Sequence, residues 1–294
     1  MGTLAQTLVL GVMIGGVYAL MGVGLNLIFG VMRVADFAHG ILYMAGGYAG
    51  FYASHLFGVP FIGAVLLAMA VGAVFGFCIN AVLLRAVYRR RLERPSEYTL
   101  IVTFAVSLMG SSAATALFSP NYRRFPGLLP GNLDLFGTIH LAADRVTAFI
   151  TALLLCAALL WIVARTDLGR GWRALTQNTT GAAVVGIDVF HLANLAFATS
   201  GALAAAAGAV LVPLYLAYPT MGDTVVVKSF VIVVLGGLGS IVGSLVGGVI
   251  LGVAEAFGSV YVGSGFTDIY GFAIMLLVLV LRPQGLFGVL EREL

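Results

Sequence analysis

Three ionisable residues, Arg33, Asp36 and His39, lie close together between two apolar runs of this 294-residue chain. If the stretch is helical, Asp36 and His39 are three positions apart and share one face. Ionisable groups at membrane depth are costly and usually functional. The group therefore lines a path through a membrane, or forms a solvated turn at the membrane surface that Asp36 caps. A metal site is disfavoured, because no third ligand of a suitable type lies near.

A second pair of charges, Lys228 and Glu255, belongs to the late apolar stretch 229–257. Lys228 is the only lysine of the chain, and Glu255 lies inside the apolar run. If the stretch turns back on itself, the two side chains lie at a similar depth, and pairing offsets part of their desolvation. An interfacial location or contact with a substrate is the alternative, whereas a proton relay needs more carboxylates than the sequence offers here.

Glycines spaced by four form a third pattern, at Gly239, Gly243 and Gly247. On one helix such a stripe lets two helices approach closely in lipid. Tight packing is the simpler interpretation, and a sliding surface for a moving helix is the alternative.

The amino-acid composition indicates the kind of structure that holds these residues. Hydrophobic residues make up 61% of the chain and charged residues 9%, against about 45–50% and about 25% in soluble domains. This excludes a typical cytosolic enzyme, a disordered chain and a nucleic-acid binder. A helical span needs about 20 apolar residues, so the chain has room for about eight. We predict one all-α polytopic membrane domain over 1–294, with about eight transmembrane or re-entrant helices.

Eight apolar segments carry this prediction, and the second is short enough for a half-helix or re-entrant helix. The segments are 7–29, 40–54, 60–84, 98–118, 146–164, 192–211, 229–257 and 266–281.

The arginines predict the orientation, because short loops rich in arginine stay in the cytoplasm. The loop 85–97 holds five arginines and is therefore predicted to be cytoplasmic. Alternation places 119–145 and 212–227 outside and 165–191 inside. If 40–54 crosses the membrane, the N-terminus is also outside.

The end of the chain tests this scheme. An unbroken helix over 229–257 would leave the tail 282–294 outside, together with Arg282. A break among the small residues 236–240 lets the chain go in and return, and the tail then ends in the cytoplasm. We predict the break.

The polar stretch 165–191 is the longest predicted cytoplasmic segment without apolar character. It is predicted to contain a short helix that Gly186 ends. Such a helix lies on the membrane surface or docks into a groove of a partner protein. The chain has no P-loop, because Lys228 follows three valines rather than a glycine.

Several short motifs stand in a fixed order along the chain. They are Phe37-Ala38-His39-Gly40, Tyr43-Met44, Gly47-Tyr48, Gly169-Arg170-Gly171 with Arg173-Ala174, Leu235-Gly236-Gly237-Leu238-Gly239-Ser240, and Arg282-Pro283-Gln284-Gly285-Leu286-Phe287-Gly288. In this order they resemble the LIV-type permeases of ATP-binding-cassette transporters, the branched-chain amino-acid permeases of bacteria and archaea, and the LivH branch more than its LivM partner. The chain departs at Asp36, where the family usually has asparagine. The charge reflects a different ligand or pairing with Arg33.

The resemblance implies a set of partners. These are a second permease, LivM-like or identical to this chain, two ATPase subunits, and a periplasmic or lipid-anchored solute-binding protein. ATP and Mg²⁺ belong to the ATPases, so no cofactor or metal is expected in this chain. The segment 165–191 would be the coupling loop that meets the ATPases. Its expected contact residues are Arg170, Arg173, Ala174, Asn178, Ala182, Gly186 and Ile187.

The implied function is a multi-pass permease of the bacterial inner membrane that imports branched-chain or related amino acids and is not itself an enzyme. Asp36, His39 and Glu255 are the candidates for the substrate path. Urea, short-chain amides or another small solute of the same family are alternatives. A secondary transporter or channel that works alone is a further alternative, and an intramembrane enzyme is the least favoured.

Overall fold

The fold is a bundle of helices, described here from a computed structural model over residues 2–85, 87, 94–123, 131–135 and 139–288. The helices are α1 (Gly2–Met32), α2 (His39–Phe57), α3 (Phe61–Cys78, continued by a π-helical turn Ile79–Leu83), α4 (Pro95–Phe118), α5 (Ala143–Arg165), α6 (Asp167–Gln177), α7 (Thr179–Val184), α8 (Val189–Leu211), α9 (Met221–Gly236), α10 (Ile241–Tyr261) and α11 (Thr267–Leu281).

The prediction of a polytopic helical membrane protein is confirmed. Within the described residues, seven helices are long and apolar enough to cross a membrane, judged by length and composition. They correspond to seven of the eight predicted segments. The exception is 40–54, which forms the 19-residue α2. The structure also separates α9, with 16 residues, as a short helix of its own.

The predicted break in 229–257 is confirmed. Helix α9 ends at Gly236 and α10 begins at Ile241. Gly237 and Gly239 in the turn have φ angles of 105° and 83°. Residues other than glycine rarely adopt such positive φ angles. The Ser240 hydroxyl caps α10 by accepting a hydrogen bond from the Gly243 N–H at 3.0 Å.

The core lies between α1 and α8, the two most buried spans. In α8 the run of four alanines, 204–207, is fully buried. The small side chains let neighbouring backbones approach, and Gly72 of α3 packs directly against Gly201 of α8. By contrast, α4 and α11 are the spans with the smallest buried share, at 17% and 6%.

The helices α1–α4 and α8–α11 form two sets with reciprocal packing. The first helix of each set packs on the third of the other, α1 on α10 and α8 on α3. The second helix of each set packs on the first of the other, α2 on α8 and α9 on α1. Helix α6 connects the end of α1 with the start of α8. Its Thr176 lies against Gly30 near the end of α1. Its Trp172 donates a hydrogen bond to the Leu192 carbonyl in the first turn of α8. The sets therefore run in opposite directions, as in inverted repeats.

Two features depart from the prediction of helices and loops. The predicted loop 119–145 contains an antiparallel hairpin of β1 (Asn132–Leu135) and β2 (Ile139–Ala142). The polar segment 165–191 forms two short helices, α6 and α7, rather than one. Residues 88–93 of the predicted basic loop and 289–294 of the predicted tail lie outside the described residues.

The predicted orientation gives a labelling experiment. Ser96 lies in the first turn of α4 beside the basic loop and is exposed. We expect Ser96→Cys to react with an impermeant maleimide from the cytoplasmic side only. Tyr122→Cys, at a position 68% exposed beyond the other end of α4, is the matched control and is expected to react from outside only. Both experiments start from Cys78→Ser and Cys156→Ser. Reversed labelling would invert the topology.

Candidate functional site

Asp36 and His39 do not share a helix face. Residues 33–36 are not helical, and α2 begins only at His39. The expectation of a common face at i and i+3 is therefore wrong. A solvated turn is also wrong, because both side chains are fully buried within the bundle.

Asp36 holds the connection between α1 and α2. Its Oδ1 accepts a hydrogen bond from the Ala38 N–H at 2.9 Å. Its Oδ2 is buried and has no hydrogen-bond partner in the part of the chain that the structure describes. Pairing with Arg33 therefore finds no support in these hydrogen bonds. Burial raises the pKa of the Asp36 carboxyl to about 7, and the Ala38 N–H partly opposes this.

His39 sits where the two sets of helices meet. One ring nitrogen, Nε2, lies 3.1 Å from the Met21 carbonyl oxygen of α1, and Nδ1 lies 3.4 Å from the Ser200 hydroxyl of α8. The next residue, Gly40, touches Gly222 at the start of α9, and a Cβ on either glycine would overlap the other's carbonyl. The helices α2 and α9 thus begin at one point between the two sets of helices. In transporters with inverted repeats, the binding sites lie at such interfaces.

Lys228 and Glu255 form a buried ion pair. Lys228 Nζ lies 2.7 Å from Glu255 Oε1, and the side chains are 14% and 7% exposed. The pairing that the predicted break requires is therefore present. Lys228 Nζ also lies 3.4 Å from the Tyr18 hydroxyl and 3.7 Å from Asp268 Oδ1. Tyr18 and Asp268 complete a cluster that sequence reasoning missed, because neither is near the pair in the chain.

A cavity of about 290 Å³ opens beside this cluster, between α9, α10 and α11. Its lining residues are Asp223, Thr224, Val227, Lys228, Val231, Leu251, Glu255, Asp268, Gly271 and Phe272. It combines one amine and three carboxylates with an apolar wall. Of the predicted substrate-path residues, the cavity contains Glu255 but neither Asp36 nor His39.

The three glycines of the predicted stripe do not lie on one helix face. Gly239 is in the turn before α10, so that part of the prediction is wrong. Gly243 and Gly247 lie on α10 and face α9, where a Cβ on Gly243 would overlap the carbonyl of Gly236. This is the geometry of tight packing. The alternative of a sliding surface stays a hypothesis.

Asn26 of α1 clamps the turn between α9 and α10, and sequence reasoning missed it. Its Nδ2 lies within 3.1 Å of the Gly237 and Ser240 carbonyl oxygens and of the Ser244 hydroxyl. Its Oδ1 accepts a hydrogen bond from the Gly239 N–H at 2.5 Å. The sequence signal that could have identified Asn26 is that it is an isolated asparagine in an apolar helix.

The segment after α11 closes the same turn from the other side. The N–H groups of Leu286 and Phe287 donate to the carbonyls of Leu235 and Gly236, each at 3.0 Å. These carbonyls belong to the last turn of α9, where a helix leaves acceptors without partners. A cavity of about 790 Å³ separates this segment from Arg33 and Thr176.

Helix α6 of the segment 165–191 is amphipathic. Trp172 and Leu175 are buried, and Trp172 Nε1 donates to the Leu192 carbonyl at 3.0 Å. Arg173 is exposed, and exposed Arg170 pairs with Asp167. The buried face holds the helix on α1, α5 and α8, and the two arginines lie on its exposed face.

Helix α7 presents an apolar tip, which sequence reasoning also missed. Val184 and Val185 are 82% and 76% exposed. Gly186, with a φ angle of 90°, ends the helix. The sequence signal that could have identified this tip is a pair of adjacent valines in a polar segment.

The remaining predicted contact residues lie behind this tip or at its edge. Ala182 is buried, and Ala174 and Ile187 are half-buried against the core. Asn178 is exposed, and its Oδ1 caps α7 by accepting from the Gly181 N–H at 2.7 Å. These positions shape the segment, while Arg170, Arg173, Val184 and Val185 form its outer surface.

Comparison with known proteins yields one family. The family described as branched-chain amino acid transport system / permease component matches residues 7–281. The chain is similar to the high-affinity branched-chain amino acid transport system permease protein BraD of Pseudomonas aeruginosa, with 32% identity covering 98% of this chain and 97% of that protein. It is 31% identical to the corresponding LivH of Salmonella typhimurium, covering 96% and 95%. Identity to LivM of the same species is 26%, covering 95% of this chain and 69% of LivM.

Proposed function

Because the chain belongs to the family of permease components of branched-chain amino acid transport systems, we propose that it forms the membrane pathway of an importer for branched-chain or related amino acids. The relatives with about 30% identity over nearly the whole chain carry that substrate class in their names. The apolar wall of the cavity beside Lys228 and Glu255 suits such a side chain. The chain does no chemistry itself.

ATPase subunits in trans drive this importer, with ATP and Mg²⁺ bound to them. The outer surface of the segment 165–191 supports the proposal that ATPase subunits bind to this chain. An amphipathic helix presents Arg170 and Arg173, and the end of the next helix presents the exposed pair Val184 and Val185. Arginine is enriched among the residues that contribute most to binding at protein interfaces, and exposed apolar side chains favour burial against a partner.

A second permease completes the pathway, either LivM-like or a copy of this chain. Relatives of both the LivH and the LivM kind support a paired permease. A solute-binding protein, periplasmic or lipid-anchored, delivers the substrate, and the complex lies in the bacterial inner membrane.

The test is reconstitution with the proteins encoded beside this chain. We would purify the complex, place it in liposomes and measure ATPase activity with leucine, other amino acids, urea, short-chain amides and aromatic acids, each with the cognate binding protein. Stimulation by apolar amino acids is the expected result. Stimulation by urea or amides alone would replace the substrate class. Solute flux without any co-purifying ATPase would show an autonomous transporter or channel.

Charge reversal on α6 tests the coupling surface. We expect Arg173→Glu to reduce substrate-stimulated ATPase activity about tenfold, because an interface arginine is replaced by a charge of the opposite sign. Val184→Asp is expected to act in the same direction, since it places a charge in an apolar contact. Both positions are exposed, so the helical content should not change. Arg94→Glu, exposed on the same predicted side but outside the segment, is the control. Unchanged coupling in both variants would contradict the assignment.

A further inference from the structure

The cavity between α9, α10 and α11 has two chemically different halves. Lys228, Glu255 and Asp268 form the polar half, and Val231, Leu251 and Phe272 form the apolar half. Its volume of about 290 Å³ is just below the range of pockets for drug-sized ligands, which begins near 300 Å³. The cavity therefore suits a small amphipathic molecule.

The polar side of the cavity carries exposed ionisable side chains at the starts of α9 and α11. Asp268 lies within the apolar span Ser264–Leu281, yet 66% of its side chain is exposed in the isolated chain. Asp223 and Thr224 at the start of α9 are exposed on the same cavity wall. Ionisable residues within membrane spans face the bundle interior or a water-filled space. This wall therefore borders a polar space.

The charges are placed so that both ends of an amino acid find a partner. The Lys228 ammonium has three donors, of which one bonds to Glu255 at 2.7 Å, while the Tyr18 oxygen lies farther away at 3.4 Å. A carboxylate can take a remaining donor. Asp268 Oδ1 lies 3.7 Å from Lys228 Nζ, beyond a good hydrogen bond, and its carboxylate stays available for an ammonium group.

We propose that this cavity is the binding site for a zwitterionic amino acid with an apolar side chain. Lys228 holds the carboxylate, Asp268 holds the ammonium group, and Val231, Leu251 and Phe272 contact the side chain. Glu255 and Tyr18 position the lysine. This inference rests on the proposed function as an amino-acid importer, and it adds the location of the substrate and the polarity in which it lies.

The site can be located with photo-leucine, the diazirine analogue of leucine, on the complete permease–ATPase complex in nanodiscs. We expect crosslinks on peptides that contain residues 223–231 or 267–272. Two competitors separate the charges, since 3-methylbutylamine lacks the carboxylate and 4-methylpentanoate lacks the ammonium group. In Asp268→Asn, competition by the amine should weaken about tenfold or more, because a charge-assisted hydrogen bond is lost, while competition by the acid should not change.

Two further variants separate an effect on the cavity from an effect on folding. Thr224→Trp, at an exposed position on the cavity wall, should reduce crosslinking at least about tenfold by filling the space. Glu97→Gln, an exposed carboxylate beside Arg94, is the control and should behave as the wild type. Crosslinks elsewhere, or an unchanged competition profile in Asp268→Asn, would overturn the inference. Leucine uptake by wild-type proteoliposomes is measured in parallel. If the complex transports leucine but shows no crosslinks in the cavity, the binding site is refuted while the proposed function as an importer stands.

Discussion

Replacing Gly243 by leucine is expected to prevent the stable packing of α10 on α9. A Cβ at this position would overlap the backbone carbonyl of Gly236, and a backbone atom cannot move aside as a flexible side chain can. Overpacking commonly costs about 1–3 kcal/mol, and we expect about 3 kcal/mol or more here. The midpoint of thermal unfolding in detergent and the yield of monodisperse protein measure the effect.

Gly265→Leu is the matched control for this experiment. Gly265 has no atom near the place of a Cβ, so the same increase in size should leave the unfolding midpoint almost unchanged. If Gly243→Leu is obtained in normal yield and transports normally, the close crossing of α9 and α10 is not required.

Replacing Asn26 by leucine is expected to release the turn between α9 and α10. The Gly239 N–H would lose its acceptor. The Gly237 and Ser240 carbonyls would lose the side-chain donor and keep only the N–H groups of Ser240 and Ser244. A buried polar group without a partner costs about 1–3 kcal/mol, and we expect a loss of about 3 kcal/mol in total. Because Thr176 of α6 and Gly239 of this turn both lie against Gly30, substrate-stimulated ATPase activity should fall as well.

Asn121→Leu, in the exposed segment after α4, removes an amide without breaking a clamp and serves as the control. Asn26→Asp has nearly the same shape, keeps the acceptor for Gly239 and loses the donors. Because a carboxylate oxygen then faces the Gly237 and Ser240 carbonyls in a buried position, Asn26→Asp is expected to be less stable than the wild type although Gly239 keeps its acceptor. Full stability of Asn26→Leu would show that water or neighbouring groups satisfy the turn.

The hydropathy of the sequence was sufficient to locate the seven spans, although their bounds shifted by several residues and 40–54 is not among them. Apolar length decides whether a helix can cross a membrane, and this is a local property. The break at 236–240 was also predictable, because glycine tolerates the positive φ angles that the turn requires. With that break, pairing of Lys228 with Glu255 was one of the predicted alternatives, since a returning chain brings both charges to a similar depth, and the structure contains the pair.

The side-chain geometry of the candidate sites was not predictable in the same way. Asp36 and His39 were expected on one helix face, but α1 ends before Asp36, a turn precedes His39, and both residues are buried within the bundle. Asn26 lies more than 200 positions from the turn that it clamps. Sequence spacing reports contacts along one helix, whereas these contacts join helices that are distant in the chain.

The sequence by itself determined that this protein is a polytopic membrane helix bundle of the permease family, because composition, apolar length and motif order are properties of the chain. Only the tertiary structure decided that α1–α4 and α8–α11 pack as inverted sets and that Val184 and Val185 stand exposed. It also decided that Asp268 joins Lys228 and Glu255 around a cavity. The physical reason is that hydrophobic burial is set by residue type, while close packing between distant helices depends on which backbones can approach, and that is settled only when all of them are in place.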